Sequence, residues 1–252
     1  MGIIKGRTAR TWEWWGQREP YFGVLTDEKF KAATFDRHRH EFFRSGEDHL
    51  AGVLARIERA FGPIPRGSAL DFGCGVGRIL LPLAQSFTSV TGLDISPAML
   101  AEARRNLDAR AITGVELQIA DDQASPLGGR AFDFVHSYIV LQHMARRQGY
   151  RAISRMADQV NPGGAIFLHL GVRQRGSGLG RLHYRLVNDL PGGYVLARLL
   201  TGQRLTPPPM RMSEYDLSIV GETLQMRGFT PIMVEFEQHG PTLTACLYAR
   251  RR

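Results

Sequence analysis

Apolar residues change their period several times along this chain, and each change marks an element. Leu50, Val53, Leu54, Ile57 and Phe61 recur at three- and four-residue spacing. That spacing predicts a helix over 46–62, closed by Ile64-Pro65-Arg66-Gly67. Short apolar runs then predict strands at 68–72, 88–94, 115–120, 131–138 and 165–170. Helices are predicted between them at 76–86, kinked by Pro82, and at 97–109, with Ser96 as N-cap and Pro97 in the first turn. A third spans 146–160 and is stopped by Asn161-Pro162-Gly163-Gly164. Strands alternating with helices predict an α/β fold, a mostly parallel sheet with helices on both faces.

The rhythm breaks over 171–212, a stretch rich in glycine, proline and arginine. A connection this long is expected to be functional, here as a cap over the substrate. A helix at 213–228 and strands at 230–236 and 243–249 follow. The link between the last two is short, so they should pair antiparallel. Ahead of the body, residues 1–45 hold Trp12, Trp14 and Trp15 together with Tyr21, Phe22, Phe30, Phe35, Phe42 and Phe43. So much aromatic surface must be covered, either as a lid over a cleft or by packing on the body. The expected division is an aromatic arm over 1–45 and a body over 46–252. No internal repeat interrupts either part.

The chemistry concentrates in Asp71-Phe72-Gly73-Cys74-Gly75-Val76-Gly77. An acid ends a strand, and three alternating glycines let a ligand lie against bare backbone. A dinucleotide loop would carry glycine where Arg78 stands. A carboxylate at Asp71 would also repel a pyrophosphate while welcoming an ammonium group. Both points favour an adenosyl ligand bearing an amino acid over NAD or FAD. Asp94, at the tip of the second strand, can accept from both ribose hydroxyls. Asp121 or Asp122, after the third strand, can accept from an adenine amine. The fourth strand, ending at Ser137, delivers the chain to the sheet edge where open α/β folds bind ligands.

Taken together, these segments resemble the class I S-adenosylmethionine-dependent methyltransferases. The resemblance covers about 46–172 and, more loosely, 213–251. It implies a Rossmann-like fold with a seven-stranded sheet whose last strand is antiparallel, and S-adenosylmethionine as cofactor, with S-adenosylhomocysteine as product. It places the glycine loop, including Phe72, Gly73 and Gly75, on the cofactor. Ile95 and Met99 would flank the adenine, and the backbone at Ser137 would meet the methionine moiety.

Tyr21, Phe22, Trp14 and Trp15 could wall the sulfonium, because a cation prefers ring faces. Arg44 could meet the cofactor carboxylate. For an alcohol acceptor a base is needed, and His143 and His169 stand nearest the expected methyl site. The sequence shows no metal-ligand set: His38 and His40 diverge on their helix, and no Asp/Asn group suggests magnesium.

Net charge is +8, carried by 32 basic residues of which only three are lysine. The arginines are scattered, whereas a nucleic-acid binder gathers them on one face. They suit a small, anionic acceptor instead. No apolar run approaches a membrane span, and no secretory leader is visible. The two cysteines suggest a reducing, cytoplasmic setting. The expected activity is O-methylation of a sugar or secondary metabolite. RNA or protein methylation, a non-catalytic adenosyl-binding module and an NAD-dependent oxidoreductase are the alternatives.

Overall fold

The computed structural model describes residues 6–120, 129–174, 193, 208, 210–239 and 242–252. Seven strands form one sheet in the order β3-β2-β1-β4-β5-β7-β6. They are β1 (Ser68–Phe72), β2 (Ser89–Asp94), β3 (Val115–Ile119), β4 (Phe132–Ser137), β5 (Val160–Gln174), β6 (Phe229–His239) and β7 (Thr242–Arg251). The pairs among β1 to β5 are parallel, and β7 runs antiparallel to both β5 and β6. The predicted fold class is therefore the observed one. Strand order reverses between β1 and β4, so the loops after those strands diverge and leave a crevice at their carboxyl ends.

The helices are α1 (Arg7–Arg18), α2 (Pro20–Val24), α3 (Phe35–Phe61), α4 (Leu80–Ser86), α5 (Pro97–Asp108), α6 (Arg146–Asp158) and α7 (Leu217–Gln225). One apolar cluster joins α3, α4 and α5 to Ala69, Phe134, Phe167, Cys246 and Tyr248. A second, on the opposite face, joins α6 and α7 to Leu70, Val135, Ile166, Leu168 and Leu247. Alternate residues of each central strand thus feed two cores, as a sheet covered on both faces requires.

Four predicted boundaries move, each for a physical reason. Helix α4 begins at Leu80, not at 76. Gly73, Gly75 and Gly77 all hold positive φ, which a right-handed helix cannot use. Pro82 therefore falls in the first turn, where its missing N–H costs nothing, and no kink is needed. β5 runs through Asn161-Pro162-Gly163-Gly164, where a break was expected; the cost appears as a register shift against β4 at Phe132/Phe134. Helix α7 is shorter than 213–228 because the Asp216 side chain caps it, accepting from Ser218 N at 2.8 Å. Finally, α3 runs unbroken across residue 45, so the arm and the body share one helix.

The arm packs on the body. Trp15, Phe30, Phe35, Phe42 and Phe43 are buried in the first core. Helix α3 comes close enough that a Cβ on Gly46 would lie 2.4 Å from the Arg78 carbonyl oxygen. That oxygen is backbone and cannot swing aside. Gly46→Ala should therefore destabilise the protein by about 1–3 kcal/mol, although alanine favours helix. Urea unfolding at constant m-value checks this, and an unchanged midpoint would contradict it.

Candidate active site

The crevice at the carboxyl ends of β1, β2 and β4 opens into a cleft of about 940 Å³ measured out to its mouth. Its floor is the glycine loop, where Phe72, Gly73 and Gly75 line it. A Cβ at Gly75 would meet Val24 at 2.9 Å and one at Gly73 would strike Val140 at 2.3 Å. Both glycines also hold positive φ, +79° at Gly73 and +52° at Gly75. Leu93, Asp94 and Ile95 at the end of β2, with Met99 of α5, form one wall. Tyr138, Ile139 and Val140 after β4 form the other, and Thr8, Trp12, Gly23 and Val24 of the arm close the top.

Asp94 ties these parts together. Gly75 N donates to its Oδ2 at 2.9 Å and Ser96 N to its Oδ1 at 2.9 Å. Each carboxylate oxygen keeps a further lone pair for a ligand. Burial, partly offset by those N–H bonds, raises its pKa to about 6. The arm is anchored close by. Glu13 of α1 accepts from Ser96 Oγ at 2.8 Å and from Ala98 N at 3.1 Å. This puts a negative charge on the N-terminus of α5, where the helix dipole favours it.

Ile139 holds φ +60° in the cleft wall. For a β-branched residue that conformation is strained, and such strain gathers at ligand sites. Arg78 reaches the cleft although it is 5% exposed. Its Nη1 donates to Ser45 Oγ at 3.2 Å, and its guanidinium lies 5.6 Å from the Tyr138 ring centre. Its Nε is buried with no hydrogen-bond partner among the described residues. A fixed cation with a donor to spare is suited to a carboxylate.

Residues 69–164 match the methyltransferase domain family. Over those residues the chain carries a methyltransferase domain, the class of protein that its sequence resembles. Aklanonic acid methyltransferase of Streptomyces sp. (strain C5) is 30% identical over 148 residues, covering 56% of this chain and 66% of that protein. Magnesium-protoporphyrin O-methyltransferase of Synechocystis sp. is 34% identical over 146 residues, or 54% of this chain and 63% of the other. The chain spans just under two thirds of these relatives' lengths. A crystal structure of magnesium protoporphyrin IX methyltransferase from Synechocystis PCC 6803, with S-adenosylhomocysteine bound, superposes with a TM-score of 0.56. It is 22% identical, covers 91% of this chain and 100% of its own, and shares the fold.

Against the methyltransferase expectations, Phe72, Gly73, Gly75, Asp94, Ile95 and Met99 all line the cleft. Asp121 and Asp122 lie outside the described residues, as does most of 171–212. Ser137 is fully buried and its hydroxyl donates to Phe72 O at 3.2 Å, so its side chain does not line the cleft. Tyr21 does not wall it either. Its ring stacks on Phe35 at 3.4 Å, and its hydroxyl bonds to Glu102 and, at 3.1 Å, to Asn106. The aromatic residue of the arm that lines the cleft is Trp12, not Trp14, Trp15 or Tyr21. Arg44 pairs with Asp48 on the surface; Arg78 is the arginine in the cleft.

His143 lies beside the cleft rather than in it. Its ring is 5.1 Å from Trp12, and both line a small adjoining space. Its Nδ1 is 2.6 Å from the Arg211 carbonyl, which can only accept, so Nδ1 carries the proton. Burial lowers its pKa to about 4. His169 is fully buried on β5 and lines neither space.

Asp71 is buried and is not among the residues that line the cleft. Its Oδ1 accepts from His136 Nδ1 at 2.8 Å, and His136 Nε2 meets His49 Nε2 at 3.0 Å. His49 is kept neutral, its pKa pushed down to about 2 by burial and then by repulsion from His136. The two Nε2 atoms share one hydrogen bond between the rings. This buried chain was invisible in sequence, because His49 and His136 lie 87 residues apart. Replacing His136 with leucine would strand a buried carboxylate. The expected loss is about 3–5 kcal/mol, read by chemical denaturation, and Asp71→Asn combined with it should recover part of that loss.

Proposed function

We propose that this chain binds S-adenosylmethionine in the cleft and methylates an oxygen of a small, acidic acceptor, a sugar or a secondary metabolite. The observation that carries the reading is the Asp94 clamp beside the glycine loop. It leaves carboxylate lone pairs facing a cleft whose floor is bare backbone. The bound cofactor supplies an activated methyl group on a cationic sulfur. Asp94 accepts from the ribose, Met99 and Ile95 flank the adenine, and Asp121 or Asp122 takes its amine. Arg78 receives the carboxylate, a task first expected of Arg44. The aromatic faces of Trp12 and Tyr138 suit a cation. The arm excludes water from above.

The acceptor's acidity follows from His143. A histidine whose pKa is about 4 is a poor base for an alcohol. An acceptor that arrives ionised needs no base, only orientation, which the fixed His143 tautomer and Trp12 provide. The curated relatives point the same way: one is named for aklanonic acid and another for O-methylation of magnesium-protoporphyrin. The cytoplasm is the proposed setting, in keeping with two free, buried cysteines. Among the described residues no helix is long and apolar enough to cross a membrane.

Calorimetric titration with S-adenosylhomocysteine, S-adenosylmethionine and NAD tests the reading. Both adenosyl ligands should bind and NAD should not, with affinity lost in Asp94→Ala. NAD binding alone would sink it. Because Asp94 must be ionised to accept, and its pKa is about 6, affinity should fall as pH drops. The fall between pH 7.5 and 5 should be about tenfold, and Asp94→Asn should flatten that profile.

In a radiolabelled methyl-transfer screen, carboxylates and acidic phenols should outperform simple alcohols. His143→Gln, which keeps a donor, should raise KM more than it lowers kcat. A collapse of kcat with unchanged KM would instead make His143 a base.

A further inference from the structure

A second cavity lies under α3, on the same face of the sheet as His136. It is lined by His49 and Arg56 of α3, Tyr138 after β4, Glu237 of β6 and Cys246 of β7. Tyr138 also lines the cofactor cleft, so one ring stands between the two spaces.

Strand register brings three unlike donors together here. His169 sits opposite Cys246 across β5 and β7, and Cys246 sits opposite Glu235 across β7 and β6. Opposed residues share a face, and so does Glu237, two positions beyond Glu235. The ligating atoms of His169, Glu237 and Cys246 all lie within 4.8 Å of one another. Donors around a tetrahedral zinc ion stand about 3.5 Å apart, given Zn–N near 2.0 Å and Zn–S near 2.3 Å. Glu237 is exposed and can close the difference. His169 and Cys246 are buried and already placed.

The donor set also selects the ion. Imidazole with thiolate suits zinc and its neighbours, whereas magnesium and calcium take oxygen. A thiolate and a carboxylate together balance a divalent charge. Without a cation, burial and then the charge of Glu237 push the Cys246 thiol up to about 12, so it holds its proton. An ion would displace that proton to solvent as the metal–sulfur bond forms. Little opposes a cation here: His49 is neutral, and Arg56 is paired with Glu235 at 2.8 Å.

We propose that His169, Glu237 and Cys246 form a binding site for a zinc-class divalent ion, with its remaining coordination position open to the second cavity. Three protein ligands and an open position are the arrangement of ions that take water or a ligand oxygen. The site gives His169 a part other than general base, and it does not depend on the methyltransferase reading.

Titration of the dialysed, full-length protein with Co²⁺ under a non-thiol reductant tests it. One equivalent should bind and raise a thiolate-to-cobalt charge-transfer band, and Zn²⁺ should displace it. Cys246→Ser should abolish the band while Cys74→Ser leaves it. Glu237→Gln, at an exposed position, should weaken binding by about tenfold or more and guards against a folding defect at Cys246. Absence of the band in the unsubstituted protein, or its survival in Cys246→Ser, would overturn the proposal. S-adenosylhomocysteine affinity, measured in parallel, reports separately on the cofactor site.

Discussion

The Asp94 carboxylate receives one backbone N–H from the glycine loop and one from the start of α5. Neither segment could hold its shape alone. The loop has three left-handed glycines, with only Cys74 and Val76 between them to pack into the core. The backbone N–H of Ser96, the N-cap of α5, would otherwise lack this acceptor. One buried acid satisfies both, and backbone bonds from Gly73 and Cys74 to Leu93 fix the loop against the same strand end. The cleft therefore exists before any ligand arrives, and its polar groups need little reordering to bind one.

The arm extends this arrangement outward. Glu13 seats α1 on the N-terminus of α5, one turn from the clamp. Gly46 seats α3 on Arg78, one residue beyond the glycine loop. Trp12 thereby enters the cleft from α1, and Arg78 from the segment just after the glycine loop, backed by α3. A substitution at Glu13 or Gly46 would change the cleft wall although neither residue lines it.

Much of this was legible in the sequence because the relevant signals are local. Buried parallel strands read as short apolar runs, and an acid followed by alternating glycines marks a strand-to-helix turn. Six of the expected cofactor residues line the cleft for that reason. What failed to show depends on distant partners. The arm's aromatics signalled burial but not which ring would face the ligand, since Tyr21 is claimed by Phe35, Glu102 and Asn106. Arg78 looked like a mismatch to a dinucleotide motif, and only the fold turns it into a buried cation. The chain from Asp71 through His136 to His49 needs α3 laid over β4. The His169, Glu237 and Cys246 cluster needs the register of three strands.

That register carries an implication for how the protein is made. β7 is synthesised after β6, yet it lies between β6 and β5. On the ribosome, β5 waits with an open edge while β6 emerges. β6 has the same direction as β5, since both run antiparallel to β7. A premature β5–β6 pairing would fill the slot meant for β7 and would have to be undone. The sheet can close correctly only if β6 is held back until β7 follows, and an unpaired β5 edge is the nascent chain's most exposed invitation to aggregate.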